Sequence, residues 1–182
     1  MRHNPNIIFL IYIMKKTINI TEKAIPKKRD AKRKVSKKWE SIPEINDSSK
    51  HVNLINRIFL NDHFNGENYI ISELKKKLNG YKSQDIDKKM YSENEFINYE
   101  NLLELLVKSK LNCYYCKCKM LLMYNNVRDK QQWTLDRIDN SIGHNNENLV
   151  ISCLECNLKR RRLDSDKFKF TKQMKIVKTL IS

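Results

Sequence analysis

This chain of 182 residues has little with which to enter a membrane. Its apolar run at residues 7–14, Ile-Ile-Phe-Leu-Ile-Tyr-Ile-Met, is eight residues long against the roughly 20 that a bilayer-spanning helix needs. It also lacks the small-residue cleavage site of a secretory leader, because Lys15 and Lys16 follow the run directly. Met14 before two lysines has the look of an ordinary start, so residues 1–13 are either an upstream extension or part of the chain proper. Apolar residues are scarce as well, at 40%, which argues against one large core and leaves room for a medium domain or two small ones. No membrane is expected among the partners. A non-secreted chain implies a reducing compartment, cytoplasm or nucleus, where disulfides are rare and clustered cysteines hold metal more often.

Acidic residues are outnumbered, 21 against 36 Lys and Arg, and the net charge of +15 points to a polyanionic partner. Position says more than the sum. Residues 1–38 carry 12 basic and 2 acidic side chains, residues 39–110 carry 10 and 12, and residues 111–182 carry 14 and 7. The middle third is therefore not expected to be the nucleic-acid surface. Residues 23–38, with nine Lys or Arg in sixteen, have too few apolar side chains to fold alone and are expected to form a disordered basic arm. The arm either grips phosphates, serves as a nuclear address, or only solubilises the chain. Residues 41–50, with Pro43 and a polar composition, are expected to be linker.

Residues 51–110 have helical spacing: Val52, Ile55 and Phe59; then Ile70, Leu74 and Leu78; then Leu102, Leu105 and Leu106. Gly80 is expected to stop the second helix and Asn98 to cap the third. These helices form either a small bundle or a brace for the cysteine-bearing segment C-terminal to them. His51 and His63 have no ligand spacing to anything and are expected to be surface or internally satisfied histidines.

Five cysteines remain, and four form two C-x-x-C pairs, Cys113/Cys116 and Cys153/Cys156, separated by thirty-six residues. Each pair turns two thiolates toward one tetrahedral ion, so together they predict a structural four-cysteine zinc site. Disulfides and buried free thiols are the plainer alternatives, and Cys118 is expected to be a spare thiol. Between the pairs, residues 132–138 and 148–152 are short and rich in Trp, Thr, Leu, Val and Ile, separated by a turn-rich segment, and predict a two-stranded hairpin. Residues 154–163 have helical composition. This order brings Asp136, leaving the first strand, toward Asn157 in the helix. Taken singly, Asp136 is a turn carboxylate and Asn157 a helix cap.

Over roughly residues 100–165 the chain resembles the HNH endonucleases. The matching residues are Cys113, Cys116, Leu135-Asp-Arg-Ile-Asp-Asn140, Gly143-His144, Asn148-Leu-Val-Ile151, Cys153, Cys156-Asn157 and Lys159. The resemblance implies an α+β fold: a small ββα-metal module at 111–182, preceded by the helical region at 51–110 and by an extension, arm and linker at 1–50. It implies that Asp136 and Asn157 ligate one divalent cation, Mg2+ or a similar ion, that Asn148 pins the loop between the strands, and that the reaction is DNA phosphodiester hydrolysis. One position departs from the pattern. Where the family carries its general-base histidine, Arg137 stands, and a guanidinium cannot accept a proton from water. Arg137 suits a phosphate clamp instead, and His144 becomes the leading base, with a plain loop histidine as the alternative and Tyr114, Tyr115 and Asp139 behind it. Lys159, Arg160, Arg161 and Arg162 are expected to bind phosphates beside the cut. A basic amphipathic helix with Phe170, Met174, Val177 and Ile181 on its apolar face is expected at the C-terminal end. A non-catalytic zinc module that binds nucleic acid is the competing reading, and the active species is either a monomer or a homodimer.

Overall fold

The computed structural model describes residues 39 and 41–174, and the basic arm and residues 175–182 of the expected terminal helix lie outside them. The described residues are α+β: six helices around one two-stranded antiparallel sheet. None of their helices is long and apolar enough to cross a membrane.

The segment expected to be linker is in part core. Pro43–Asn46 forms α1, and Ile42 and Ile45 are buried beside Trp39. Gly66, before the third helix, is held at φ +91°, and an added Cβ there would sit 2.6 Å from Ile42 Cδ1 and 2.7 Å from Ile45 Cδ1. The positive φ favours glycine, and a larger residue would also have to push aside the ends of the two isoleucines. Helix α2 (His51–Phe59) buries Leu54, Ile55 and Ile58, whereas Val52 is half-buried and Phe59 is 44% exposed, so of the expected stripe Ile55 faces fully inward and Phe59 does not.

Helix α3 (Glu67–Asp87) is the main correction. It does not stop at Gly80, because the buried series Ile70, Leu74, Leu78 continues at helical spacing through Tyr81 and Asp85. Interior glycine costs about 0.5–1 kcal/mol relative to alanine, less than the anchoring contacts beyond it supply. Those contacts cover the free edge of the sheet. Beyond Gly80, Tyr81 Oη accepts the Leu135 amide at 3.0 Å; before it, Lys77 Nζ donates to the Trp133 carbonyl. Helix α4 (Tyr99–Ser109) begins where expected, Asn98 Oδ1 accepting the Asn101 amide at 2.8 Å, and it buries Leu102, Leu103 and Leu106.

Strands β1 (Trp133–Arg137) and β2 (Leu149–Cys153) pair antiparallel, with Trp133 opposite Cys153 and Arg137 opposite Leu149. Helix α5 (Leu154–Arg160) starts directly from β2, and α6 (Ser165–Gln173) closes the described chain. In α6 the expected stripe is displaced: Phe168 is buried while Phe170 is 68% exposed. One core nevertheless runs from Trp39 through α2, α3 and α4 to Trp133, Ile151 and Phe168, so the helices are not a separate bundle. His51 joins them to the cysteine region, with Nε2 on the Ile45 carbonyl at 3.0 Å and Nδ1 accepting the Leu122 amide at 3.1 Å. His63 is exposed and pairs with Glu67.

Candidate functional site

The four sulfurs of Cys113, Cys116, Cys153 and Cys156 lie within 4.8 Å of one another. Local geometry explains the convergence. Cys113 and Cys116 sit on a tight turn in which the Lys117 amide donates to the Cys113 carbonyl at 3.0 Å, and Cys153 ends β2 one turn before Cys156 in α5. Backbone amides point at sulfur, Cys153 N–H toward Cys113 Sγ at 3.3 Å and Cys156 N–H toward Cys153 Sγ at 3.4 Å. Such amides stabilise thiolates. Without a cation the cluster is frustrated: the Cys153 thiol holds Cys113 down at about 4, and that same hydrogen bond to Cys113 together with burial drives Cys153 up, while burial pushes Cys156 up to about 12. Four soft donors and no oxygen suit a metal ion with a closed tetrahedral shell. Among the described residues no other group of three such side chains forms a comparable cluster. Cys118 is not one of the four mutually close donors, but its thiol interacts with the sulfurs of Cys116 and Cys153 and its carbonyl accepts the Cys113 amide.

On the other side of the hairpin, Asp136 is 5% exposed and engaged by a fork. Arg160 Nε donates to Oδ2 at 2.7 Å and Nη2 to Oδ1 at 2.8 Å, and the Tyr115 hydroxyl donates to Oδ2 at 2.8 Å. Arg160 is itself 1% exposed and also donates to the carbonyls of Leu163 and Arg137. This corrects its expected place on the phosphate-gripping surface. Its position explains why: Arg160 follows Cys156 by four residues, so it shares the inward face of α5. Lys159 is exposed and paired with Glu155 at 2.6 Å; Arg161 and Arg162 are exposed.

Asn157 Nδ2 donates to Thr134 Oγ1 at 3.1 Å and to the Leu135 carbonyl at 3.2 Å, which leaves its Oδ1 without a partner among the described residues. Asp136, Arg137, His144 and Asn157 line one cleft. Asp136 keeps one lone pair, on Oδ1, and with the free Asn157 oxygen these are the two hard donors that could meet a divalent ion here; oxygen donors of this kind fit Mg2+ better than Zn2+. Arg137 Nη1 donates to the Ile142 carbonyl at 3.1 Å. Asn148 ties down the loop: its Oδ1 accepts the Asp139 amide at 2.8 Å, and its Nδ2 donates to the carbonyls of Asp139 and Gly143. Tyr115 is wholly buried, its hydroxyl raised by burial beyond any use as a base, while Asp139 is engaged with Ser141 and Tyr114 lies half-buried against Tyr115.

His144 is held by a residue that motif reasoning does not reach. Asp85, fully buried on α3, accepts the His144 amide on Oδ2 at 2.6 Å and pairs with His144 Nδ1 through Oδ1 at 2.8 Å. A carboxylate at Nδ1 places the ring proton there and leaves Nε2 as a lone pair with no partner among the described residues. Burial lowers the imidazole below its usual pKa, against the opposing pull of Asp85. Gly143 leaves the space this contact needs, since an added Cβ would lie 2.8 Å from Asp85 Oδ2. The signal in the sequence is that Asp85 continues the buried α3 stripe, where a carboxylate needs a partner.

Comparison with known proteins adds little. No family model matches the chain, and no solved structure matches it. It is similar to an uncharacterized protein, R423, of Acanthamoeba polyphaga mimivirus, 35% identical over 88 residues. That match spans 48% of this chain and 14% of the viral protein, so the chain covers a small part of its relative's length.

Proposed function

We propose that this protein is a metal-dependent DNA endonuclease of the HNH type, with zinc in the four-cysteine cluster and one magnesium-like ion at Asp136 and Asn157. The observation that carries the reading is the convergence of Asp136, Arg137, His144 and Asn157 on one cleft beside a hairpin and helix. The bound divalent ion supplies Lewis acidity to the phosphodiester oxygens. His144 Nε2 takes the proton of the attacking water, and Asp85 keeps Nδ1 protonated so that this nitrogen stays basic. The water oxygen bonds to phosphorus as the P–O3′ bond breaks, Arg137 faces the phosphate as it gains negative charge, and the departing 3′ oxygen takes a proton from a second water. Zinc on four thiolates keeps no open position and holds the fold.

The competing reading, a zinc module that binds nucleic acid without cutting it, is favoured by the Arg160 fork on Asp136. Plasmid incubated with the protein, with and without magnesium, separates the two. Magnesium-dependent nicking that is lost in Asp136→Ala and His144→Ala supports the enzyme. Absence of nicking on duplex, branched and single-stranded DNA alike rejects it.

A further inference from the structure

We infer that the trough between α3 and α5 binds one strand of nucleic acid, with its phosphates following a ridge on α3. This deepens the nuclease reading and rests on it for which phosphate is cut. The cleft of about 270 Å3 at His144 and a neighbouring groove of about 600 Å3 share Tyr81, Gln84, Asn157 and Leu158, so they form one continuous trough passing the candidate site.

One wall belongs to a helix outside the HNH-like region. Lys76, Gly80, Gln84 and Lys88 follow one another at four-residue intervals, which places them in a single row along α3 and its C-cap, and all four are exposed. Helix α5 and the residue after it contribute Asn157, Leu158 and Arg161 to the lining, Arg128 lines the larger groove and Arg137 the cleft at His144. Besides Lys77, whose ammonium is turned onto the Trp133 carbonyl, five Lys or Arg side chains line the trough against two acidic ones, Glu73 and Asp136, and Asp136 is already paired with Arg160. That balance complements a phosphodiester chain. Two further features favour a single strand. Gly80 opens a gap in the ridge, where a Cβ would meet nothing within 4 Å, so a backbone can approach the helix closely. Leu158 (62% exposed) and Val127 (44% exposed) offer apolar surface to unstacked bases. A duplex presents its phosphates on a broad convex face, and two facing walls would keep that face off the floor.

The test is binding without cleavage: fluorescence anisotropy of a labelled oligo-dT, with no magnesium, against the full chain. Lys76→Ala/Lys88→Ala should weaken binding about tenfold at moderate salt and reduce the slope of log affinity against log salt by about 1.4, two phosphate contacts at about 0.7 each. Gly80→Glu should weaken it comparably by placing a carboxylate in the gap, and Gly80→Ala, which fills the gap with a methyl group and adds no charge, should weaken it less. Because the Gly80 position opens to empty space, both variants should fold, and circular dichroism checks that they do. Unchanged oligo-dT affinity in the lysine pair and in Gly80→Glu, or losses confined to blunt duplex, would overturn the inference. Loss of oligo-dT binding in a protein that nicks nothing leaves the groove standing and rejects the nuclease; nicking with unaltered affinities does the reverse.

Discussion

The two faces of the hairpin and helix treat buried polarity in opposite ways. At Cys113, Cys116, Cys153 and Cys156, four sulfurs crowd within 4.8 Å, met by backbone N–H groups and the neighbouring Cys118 thiol but by no cationic side chain. At Asp136, a carboxylate of comparable burial has three donors from Arg160 and Tyr115. The first arrangement is incomplete without a cation; the second is complete without one. The difference teaches that a metal held by the cysteines would contribute to folding itself, whereas the carboxylate side is a scaffold that forms without an ion. It also gives the two sites different vulnerabilities.

The strongest way to break that comparison is to remove the metal. A chelator, or Cys113→Ser with Cys153→Ser, should unfold the region around the hairpin, since a structural zinc site of this kind typically contributes about 10–16 kcal/mol of apparent binding free energy. Far-ultraviolet circular dichroism with and without chelator, alongside metal analysis of the purified protein, reads the outcome. A protein that keeps its cooperative melt after losing all metal would show that both faces are self-sufficient.

Next in size is the Arg160 fork. Arg160→Leu strands a buried carboxylate and should cost about 3–5 kcal/mol in denaturant unfolding, while adding Asp136→Leu should recover most of that loss. A single substitution costing under about 1 kcal/mol would mean the pair is not what completes this face.

The Asp85–His144 pair extends the carboxylate side onto α3. Asp85→Asn can still accept the His144 amide, but its side-chain NH2 would then face Nδ1 and favour the tautomer with Nε2 protonated. Cleavage should fall about a hundredfold with folding intact. Nitrogen chemical shifts of the imidazole report the tautomer directly, whatever the activity. A ring that keeps its proton on Nδ1 in this variant would remove Asp85 from the mechanism.

How much of the molecule is legible in the sequence obeys the same division. Features fixed by spacing are visible: the cysteine pairs, the hairpin, the Asn98 cap and the Ile70–Leu74–Leu78 stripe. Features fixed by one side chain meeting another far along the chain are not. Lys159 to Arg162 looks like a uniform basic surface run, and only the helix period marks Arg160 as inward, below Cys156. Gly80 looks like a stop because glycine weakens helices, yet Tyr81 and Asp85 continue the stripe and have partners on the hairpin and its loop. The near-neutral middle third hides its sidedness, since its net charge does not show that Lys76 and Lys88 flank the trough.

The smallest expected effect separates the two buried histidines. Both have pKa values lowered chiefly by burial, so between the ordinary value near 6.5 and the depressed one the unfolded chain binds protons that the folded chain refuses. The sign is therefore loss of stability as pH falls below about 6.5, with a slope of at most about 1.4 kcal/mol per pH unit for each histidine. The partners make the two unequal. His144 has a carboxylate at Nδ1 that tolerates an imidazolium, with Tyr81 against the ring and Arg137 and Lys88 opposing the charge. His51 uses Nδ1 to accept the Leu122 amide, and a proton there destroys the bond joining α2 to the cysteine region. His51→Gln should flatten the acid limb of stability between pH 6.5 and 5.5 more than His144→Gln does, measured by denaturant midpoints across that range. If the proton resonances of the His51 ring titrate near 6.5, burial is not holding that imidazole neutral, and the acid sensitivity must come from elsewhere.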